Sequence, residues 1–346
     1  MALEQAMNIS KDEIALYDRQ IRLWGLEAQE RMRSSNILIV HMSAVSDEVS
    51  KNIALAGVGS ITVLDDSIVL PEHLSVHCYL QDDDVSRPIA QAMASYLKAL
   101  NPRVSIIPDV EPIEEKPDTY FANFDVIVAA DIDIDIMIDL NNKCRDFGKA
   151  FYGTQSFGLF GYVFADLNEY TYSIEREKAN VATKPGPETS TRSIVSVNVK
   201  RDGTQVKEVV TKIEKYKPLD VVLKHPIDLS VHLKPRQLLK VSPVLPTFYA
   251  MRGLKKALFE NNLTREHIQE VCTNCARALG LPAGIITPSY VSNVKLGFNT
   301  ELSAVASVLG GVLGQNILNY LARREQPIQN IAIFDGSSFT APIYCI

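Results

Sequence analysis

Between residues 36 and 65 the chain alternates in a way that few folds accommodate. Asn36-Ile37-Leu38-Ile39-Val40 is an apolar run without polar interruption after its first residue. Such a run marks a strand buried on both faces, as parallel sheets require. A helix from about Ser46 follows, with Val45, Val49, Ile53 and Ala56 on one face, and Gly57 supplies the left-handed residue that ends it. A second apolar strand, Ser60-Ile61-Thr62-Val63-Leu64, stops at Asp65. Strand, helix, strand and acid in this order is the layout of a dinucleotide-type βαβ unit. A helix over 87–100, a strand over 104–107 and a strong strand over 125–130 continue the alternation, which predicts an α/β doubly wound sheet.

The flanking segments fill in the plan. Ser10 and Glu13 form a capping box, and Ile14, Tyr17, Ile21 and Trp24 then recur as one apolar helical stripe that Gly25 interrupts. A second short helix leads into the first strand. After Tyr172 the character changes. The stretch 175–193 contains Lys184-Pro185-Gly186-Pro187-Glu188 and few large apolar residues, so it reads as a long mobile loop. Residues 219–282 read as mainly helical, and the α/β pattern returns in a helix over 301–324 and a strand over 330–334. The expected organisation is an α/β part over 1–173, a loop and mainly helical insertion over 174–285, and a closing α/β part over 286–346. The apolar stretch 302–321 contains Gln315, Asn316, Asn319 and three glycines, so it is expected as a buried helix rather than a membrane span.

Composition excludes several function classes. Hydrophobic residues make up 46% and charged residues 22% of the 346, enough for a sizeable core. Thirty-five Lys and Arg against 41 Asp and Glu leave a net charge of −6, which argues against nucleic-acid binding through a basic surface. Five scattered cysteines suit a reducing compartment. Residues 1–13 carry acids and no apolar segment, so no signal peptide is expected and the chain is expected to be intracellular.

A dinucleotide fingerprint places three glycines between the first strand and its helix. They make the turn, let backbone N–H groups reach phosphates and allow close packing. Here the sequence is His41-Met42-Ser43-Ala44-Val45-Ser46, with His41, Ser43 and Ser46 at the three glycine positions. Where such a turn needs positive φ, a residue with a Cβ costs about 1–2 kcal/mol. Two readings follow from this segment: a degenerate ligand site on a nucleotide-binding scaffold, or an α/β protein that never had a glycine loop.

At Tyr17-Asp18-Arg19-Gln20-Ile21-Arg22-Leu23-Trp24-Gly25 the sequence resembles the start of the ubiquitin-like-modifier-activating enzymes. The match continues through Ile37-Leu38-Ile39-Val40, Ala56-Gly57-Val58-Gly59, Leu64-Asp65 and Leu100-Asn101-Pro102, and resumes at 309–315 and at Phe334-Asp335-Gly336. The resemblance implies a Rossmann-like adenylation fold of the ThiF/MoeB type. Length, and the lack of a C-terminal ubiquitin-like-fold domain, point within it to the small regulatory subunits of heterodimeric SUMO-activating enzymes. It further implies a large catalytic partner subunit that binds ATP and Mg²⁺, adenylates the SUMO C-terminus and takes it as a cysteine thioester. A nuclear location, with or without a cytoplasmic pool, is implied in the same way; Lys255-Lys256 and Arg323-Arg324 are too short to argue for import.

Departures from the family pattern indicate the inactive half of such a pair. Val76 stands where active copies carry an arginine and Ile89 where they carry a lysine, with Arg87 nearby. Asp65 matches the expected ribose ligand, and Asp131 or Asp133 falls near the metal-binding aspartate. No cofactor and no metal are therefore expected on this chain, with Asp65 and Asp131 as vestiges. Between Cys144 and Cys272 there is no cysteine, so no thioester is expected. Arg19 lies opposite the apolar stripe, with no carboxylate at its i±3 or i±4 positions, whereas Arg22 has Asp18. On residues alone it is a solvated surface arginine. The resemblance makes it a finger that reaches the partner's ATP in trans. A self-sufficient adenylating homodimer and a pure scaffold are the competing readings, and an NAD-dependent oxidoreductase would equally need the missing glycines.

Three further patterns remain. Cys272-Thr273-Asn274-Cys275 with His73 and His77 has the residue types of a zinc site, but helical spacing favours two small buried thiols. Asp131-Ile132-Asp133-Ile134-Asp135-Ile136 would line carboxylates on one face of a strand and reads as a solvated strand end. Gly310, Gly311 and Gly314 inside one helix imply close approach of another backbone, within the domain or at a dimer interface.

Overall fold

The computed structural model describes residues 9–178, 183–202 and 205–346. Of the N-terminal stretch discussed above, residues 1–8 lie outside the described residues. The centre is an eight-stranded sheet. Its strands are β1 (Asn36–Val40), β2 (Ser60–Leu64), β3 (Ser105–Asp109), β4 (Val126–Ala130), β5 (Ala150–Phe157) and β6 (Phe160–Asp166), with β11 (Ile331–Asp335) and β12 (Ile343–Tyr344) from the C-terminal part. The spatial order is β12-β11-β6-β5-β4-β1-β2-β3. The five strands β3-β2-β1-β4-β5 are parallel, and β6, β11 and β12 join antiparallel.

The expected doubly wound sheet is therefore present, and the strand order reverses between β1 and β4. In such sheets the crevice at the carboxyl ends of the reversing strands is where ligands bind. Two apolar layers flank the sheet. One contains Val45, Val49 and Ile53 of the helix Ala44–Ala56 together with Leu309, Leu313 and Ile317 of the helix Ser303–Ala322. The other joins Leu38, Val40 and Ile127 to Phe248, Met251 and Ile268 of the later helices.

The helix Ser303–Ala322 is long and apolar enough to cross a membrane, yet more than half of it is buried inside the fold. Its glycines divide by role. A Cβ on Gly310 would meet the Cβ of Glu48, and one on Gly314 would touch the Cβ of Asn52, so both are set by packing against Ala44–Ala56. Gly311 faces open space.

Several expectations are corrected. The first helix is two, Lys11–Leu16 and Asp18–Trp24, separated at Tyr17, where φ is −100° and ψ 17°. The helix after β1 begins at Ala44 rather than Ser46 because Ser43 caps it. The stretch 175–193 is in part strand: β7 (Glu169–Glu177) and the short β8 (Gly186–Pro187) flank residues 179–182, which lie outside the described residues. With β9 (Arg192–Asp202) and β10 (Gln205–Lys215) they form a separate antiparallel sheet in the order β7-β10-β9-β8. The mainly helical part begins at Leu219, where the sequence places it.

Candidate functional site

The three positions of the missing glycines are occupied in three different ways. His41 retains the left-handed conformation, with φ at 65°, and its Nδ1 pairs with the Ala130 carbonyl oxygen at 3.0 Å. That bond ties the end of β1 to the end of β4 and offsets strain of about 1–2 kcal/mol. Ser43 is extended and caps the helix, accepting from the Ser46 N–H at 3.3 Å. Ser46 lies inside the helix and donates from Oγ to the His41 carbonyl at 2.8 Å. Only the first position needed positive φ.

The donors that would hold a phosphate are already in use. The Ala44 N–H, at the helix start, donates to Glu301 Oε1 at 3.1 Å. The Met42 N–H donates to Asp65 Oδ2 at 2.6 Å. Asp65 is buried, and its other oxygen accepts from the N–H and hydroxyl of Ser67 at 2.9 and 2.6 Å. The carboxylate expected as a ribose ligand is thus turned into the loop that follows β1.

Glu301 reaches this place through a tight contact. Gly158, in the β5–β6 turn, packs its Cα against Gly297, where neither residue has room for a Cβ, and its N–H donates to the Thr300 carbonyl at 2.8 Å. The next residue is then held over the helix end. A carboxylate there also gains from the helix dipole.

Asp131 follows β4 with φ at 55°, and its Oδ1 accepts from the Ser156 N–H at 3.1 Å. Burial, reinforced by the nearby charge of Glu301, pushes its carboxyl up to about 7. The acid–isoleucine alternation is not a strand. Asp133 caps the helix Ile134–Asp146 by accepting from the Asp135 N–H at 2.7 Å, and Asp135 pairs with Arg252. Lys255, legible in the sequence only as half of a dibasic pair, donates to the Asp131 and Ile132 carbonyls at 3.4 and 2.5 Å.

The cationic positions are lost in space as well as in sequence. Val76 lines the cleft, whereas Ile89 is 1% exposed in the core. Arg87 lies outside the residues lining the cleft, and its Nη1 pairs with Asp84 Oδ1 at 2.6 Å. Next to Val76, His77 forms a buried pair with Asp47, Nδ1 to Oδ2 at 2.8 Å, which pins the 71–77 crossover onto the Ala44–Ala56 helix. The structure does not bring His73 and His77 together with the cysteine pair: no group of three or more His, Cys, Asp or Glu side chains suited to a metal occurs among the described residues. Burial pushes the Cys272 thiol up to about 12 and Cys275 up to about 11, so both stay protonated.

Arg19 is exposed, and its side chain has no hydrogen bond or ion pair among the described residues. Arg22 pairs with Asp18 at 3.0 Å, as its spacing predicts. Tyr17 anchors this helix pair. Its ring lies against Gly57, where a Cβ would clash, and its hydroxyl accepts from Asn101 Nδ2 at 2.9 Å. Asn101 also donates to the Ala54 carbonyl at 2.7 Å. Arg19 thus stands two residues from a buried fixed point.

The ThiF family model matches residues 17–345, and the chain belongs to the ThiF family. It is 33% identical over 344 residues to the DNA damage tolerance protein RHC31 of Saccharomyces cerevisiae, covering 97% of each chain. It is 32% identical over 356 residues to SUMO-activating enzyme subunit 1 of Xenopus tropicalis, covering 98% of this chain and 97% of that one. With the human SUMO-activating enzyme subunit 1 it shares 30% over 352 residues, covering 99% and 98%. The crystal structure of PaaA superposes with a TM-score of 0.57 at 12% identity, over 98% of this chain and 84% of that one, a likeness of fold.

Proposed function

We propose that this chain is the non-catalytic, adenylation-fold subunit of a heterodimeric SUMO-activating enzyme. It pairs with a larger catalytic subunit that holds ATP and Mg²⁺, adenylates the SUMO C-terminus and takes it as a cysteine thioester. From this chain Arg19 reaches the partner's ATP site. The observation that carries the reading is the filled cradle: Glu301 and Asp65 take the Ala44 and Met42 N–H groups that a phosphate would need. A triphosphate does not fit residues so disposed. Each of its charges set about 4 Å from such a carboxylate meets about 4 kcal/mol of repulsion at an effective dielectric of 20.

Arg19 supports the other half of the proposal. A guanidinium is always charged and presents forked donors matched to phosphate oxygens, so one placed across an interface stabilises the charge that builds on departing pyrophosphate. Its freedom from local partners leaves those donors available. A nuclear location is part of the same proposal, carried by the likeness to the subunit 1 proteins alone.

The test is Arg19→Ala in the assembled pair. Assembly should persist while SUMO-dependent adenylation falls by about two to three orders of magnitude, the usual cost of removing one donor to a developing charge. An unchanged rate would leave only a scaffold role.

A further inference from the structure

The segment 224–240 has a charge opposite to that of the chain. It carries Lys224, Lys234, Arg236 and Lys240 against Asp228 alone, with His225 and His232 besides, in a chain whose net charge is −6. Asp228 is occupied, accepting from the N–H and hydroxyl of Ser230 at 2.9 and 2.6 Å. Lys224 pairs with Asp220 at 3.2 Å. The side chains of Lys234, Arg236 and Lys240 are exposed and have no hydrogen bond or ion pair among the described residues.

A second feature, independent of charge, is apolar. A groove of about 570 Å³ runs beside this segment. Ile227, Leu229 and Leu233 of the segment line it together with Ile343 and Tyr344 of β12, and no Asp or Glu is among its lining residues. β12 is the edge of the eight-stranded sheet, with no strand beyond it among the described residues. Val231 and Leu239, interleaved with the cations in sequence, are 74% and 71% exposed. Apolar side chains left in water beside a groove mark an interaction surface, and the sign of the surrounding charge selects an acidic partner.

We infer that this surface docks an extended acidic segment of another protein, one that carries aliphatic residues among its carboxylates. Its carboxylates meet Lys234, Arg236 and Lys240, and its aliphatic side chains fill the groove. An extended backbone suits the place because β12 offers an open edge to lie along. Alternate side chains of such a backbone point to opposite sides, so one short segment presents both chemistries. A bilayer is flat and does not enter a groove. A nucleic acid brings a phosphate with every nucleotide to a chain that is acidic overall. Every residue invoked belongs to this chain, so the site does not depend on the heterodimer proposed above.

The probe is a short fluorescein-labelled peptide of Glu and Ser with leucine at every fourth position, titrated by fluorescence anisotropy against the full chain at low salt. It should bind with a dissociation constant of about 10–100 μM, and more weakly as salt is raised. The same peptide with serine in place of leucine should bind about tenfold more weakly or worse. Lys234→Glu combined with Arg236→Glu should weaken the leucine peptide by about tenfold or more. The Tm should not change, since both side chains are exposed and without partners. Ile343→Asp, at a position 57% exposed, should weaken it from the groove side. No binding, or binding that both variants leave unchanged, overturns the surface. Equal binding of the leucine-free peptide overturns the groove as the anchor. Tighter binding of a single-stranded oligonucleotide, or of phosphatidylserine vesicles, overturns a protein segment as the occupant. None of these outcomes reads adenylation, so failure here is distinct from failure of the subunit role.

Discussion

Glu301 accepts a hydrogen bond from the Ala44 N–H at 3.1 Å, so the first turn of the helix after β1 is capped by a carboxylate from 257 residues along the chain. The contact couples the closing part of the chain to the first βαβ unit. Glu301→Ala should destabilise the fold by about 0.5–2 kcal/mol, the range for losing a helix cap, read as a lower urea midpoint with an unchanged m-value. Stability equal to the parent's would mean that the bond is incidental.

Tyr17 and Asn101 govern where Arg19 stands. Tyr17→Phe removes only the hydroxyl that Asn101 bonds, and should cost about 1 kcal/mol. Tyr17→Ala also empties the space against Gly57, and should cost about 3–5 kcal/mol. In the assembled enzyme the alanine variant should lower adenylation more than the phenylalanine variant although neither changes a charge. Equal rates would show that the anchor does not position the arginine.

The buried His77–Asp47 pair makes stability depend on pH. The Asp47 hydrogen bond and charge outweigh desolvation and raise His77 above its ordinary value of 6.5. A histidine raised on folding stabilises fully below its unfolded pKa of about 6.5, and that contribution is lost as pH rises through the folded value. Asp47 is also raised, by desolvation, but its share begins to be lost at lower pH, from the ordinary value of 3.8 upward, so the histidine sets the loss above 6.5. Stability should therefore fall as pH rises above about 6.5. His77→Gln should flatten this slope while costing about 3 kcal/mol or more at pH 6, because it strands a buried carboxylate. Thermal melts across pH 6–9 decide it; an identical slope in both proteins would assign the dependence elsewhere.

Two neighbouring glycines should respond with opposite signs. Gly310→Ala drives a Cβ into Glu48 and should destabilise by about 1–3 kcal/mol. Gly311→Ala meets open space and should stabilise the isolated chain by up to about 1 kcal/mol through helix propensity. Loss of heterodimer assembly in Gly311→Ala, with the chain itself stabilised, would place this face against the partner.

Much of this was legible in the sequence, for local reasons. Parallel strands buried on both faces leave contiguous apolar runs, so β1, β2 and β4 were legible to within a residue of their bounds, and Gly57 was legible as a helix end because its left-handed conformation is local. The second sheet was missed because β9 carries Ser193, Ser196, Asn198 and Lys200 between its aliphatic residues and so leaves no contiguous apolar run, although it pairs with the adjoining β10. In the site, the loss of the phosphate cations at Val76 and Ile89 was visible, and so was the freedom of Arg19. Glu301 was not, since nothing near it in sequence marks it as a cap for Ala44. Asp131 was legible as a vestige of the site and as a member of an alternating run, but Lys255 only as half of a basic pair, because their contact joins residues 124 apart in the chain.

The central claim is that adenylation belongs to the pair and not to this chain. SUMO-dependent ATP–pyrophosphate exchange, measured with this chain alone, with the catalytic subunit alone and with the mixture, tests it most directly. Exchange should be at background for this chain alone, weak for the catalytic subunit alone, and restored in the mixture by wild type and not by Arg19→Ala. Exchange by this chain alone would mean that Glu301 and Asp65 yield their donors to a phosphate, and would contradict the reading of the cleft as a filled cradle.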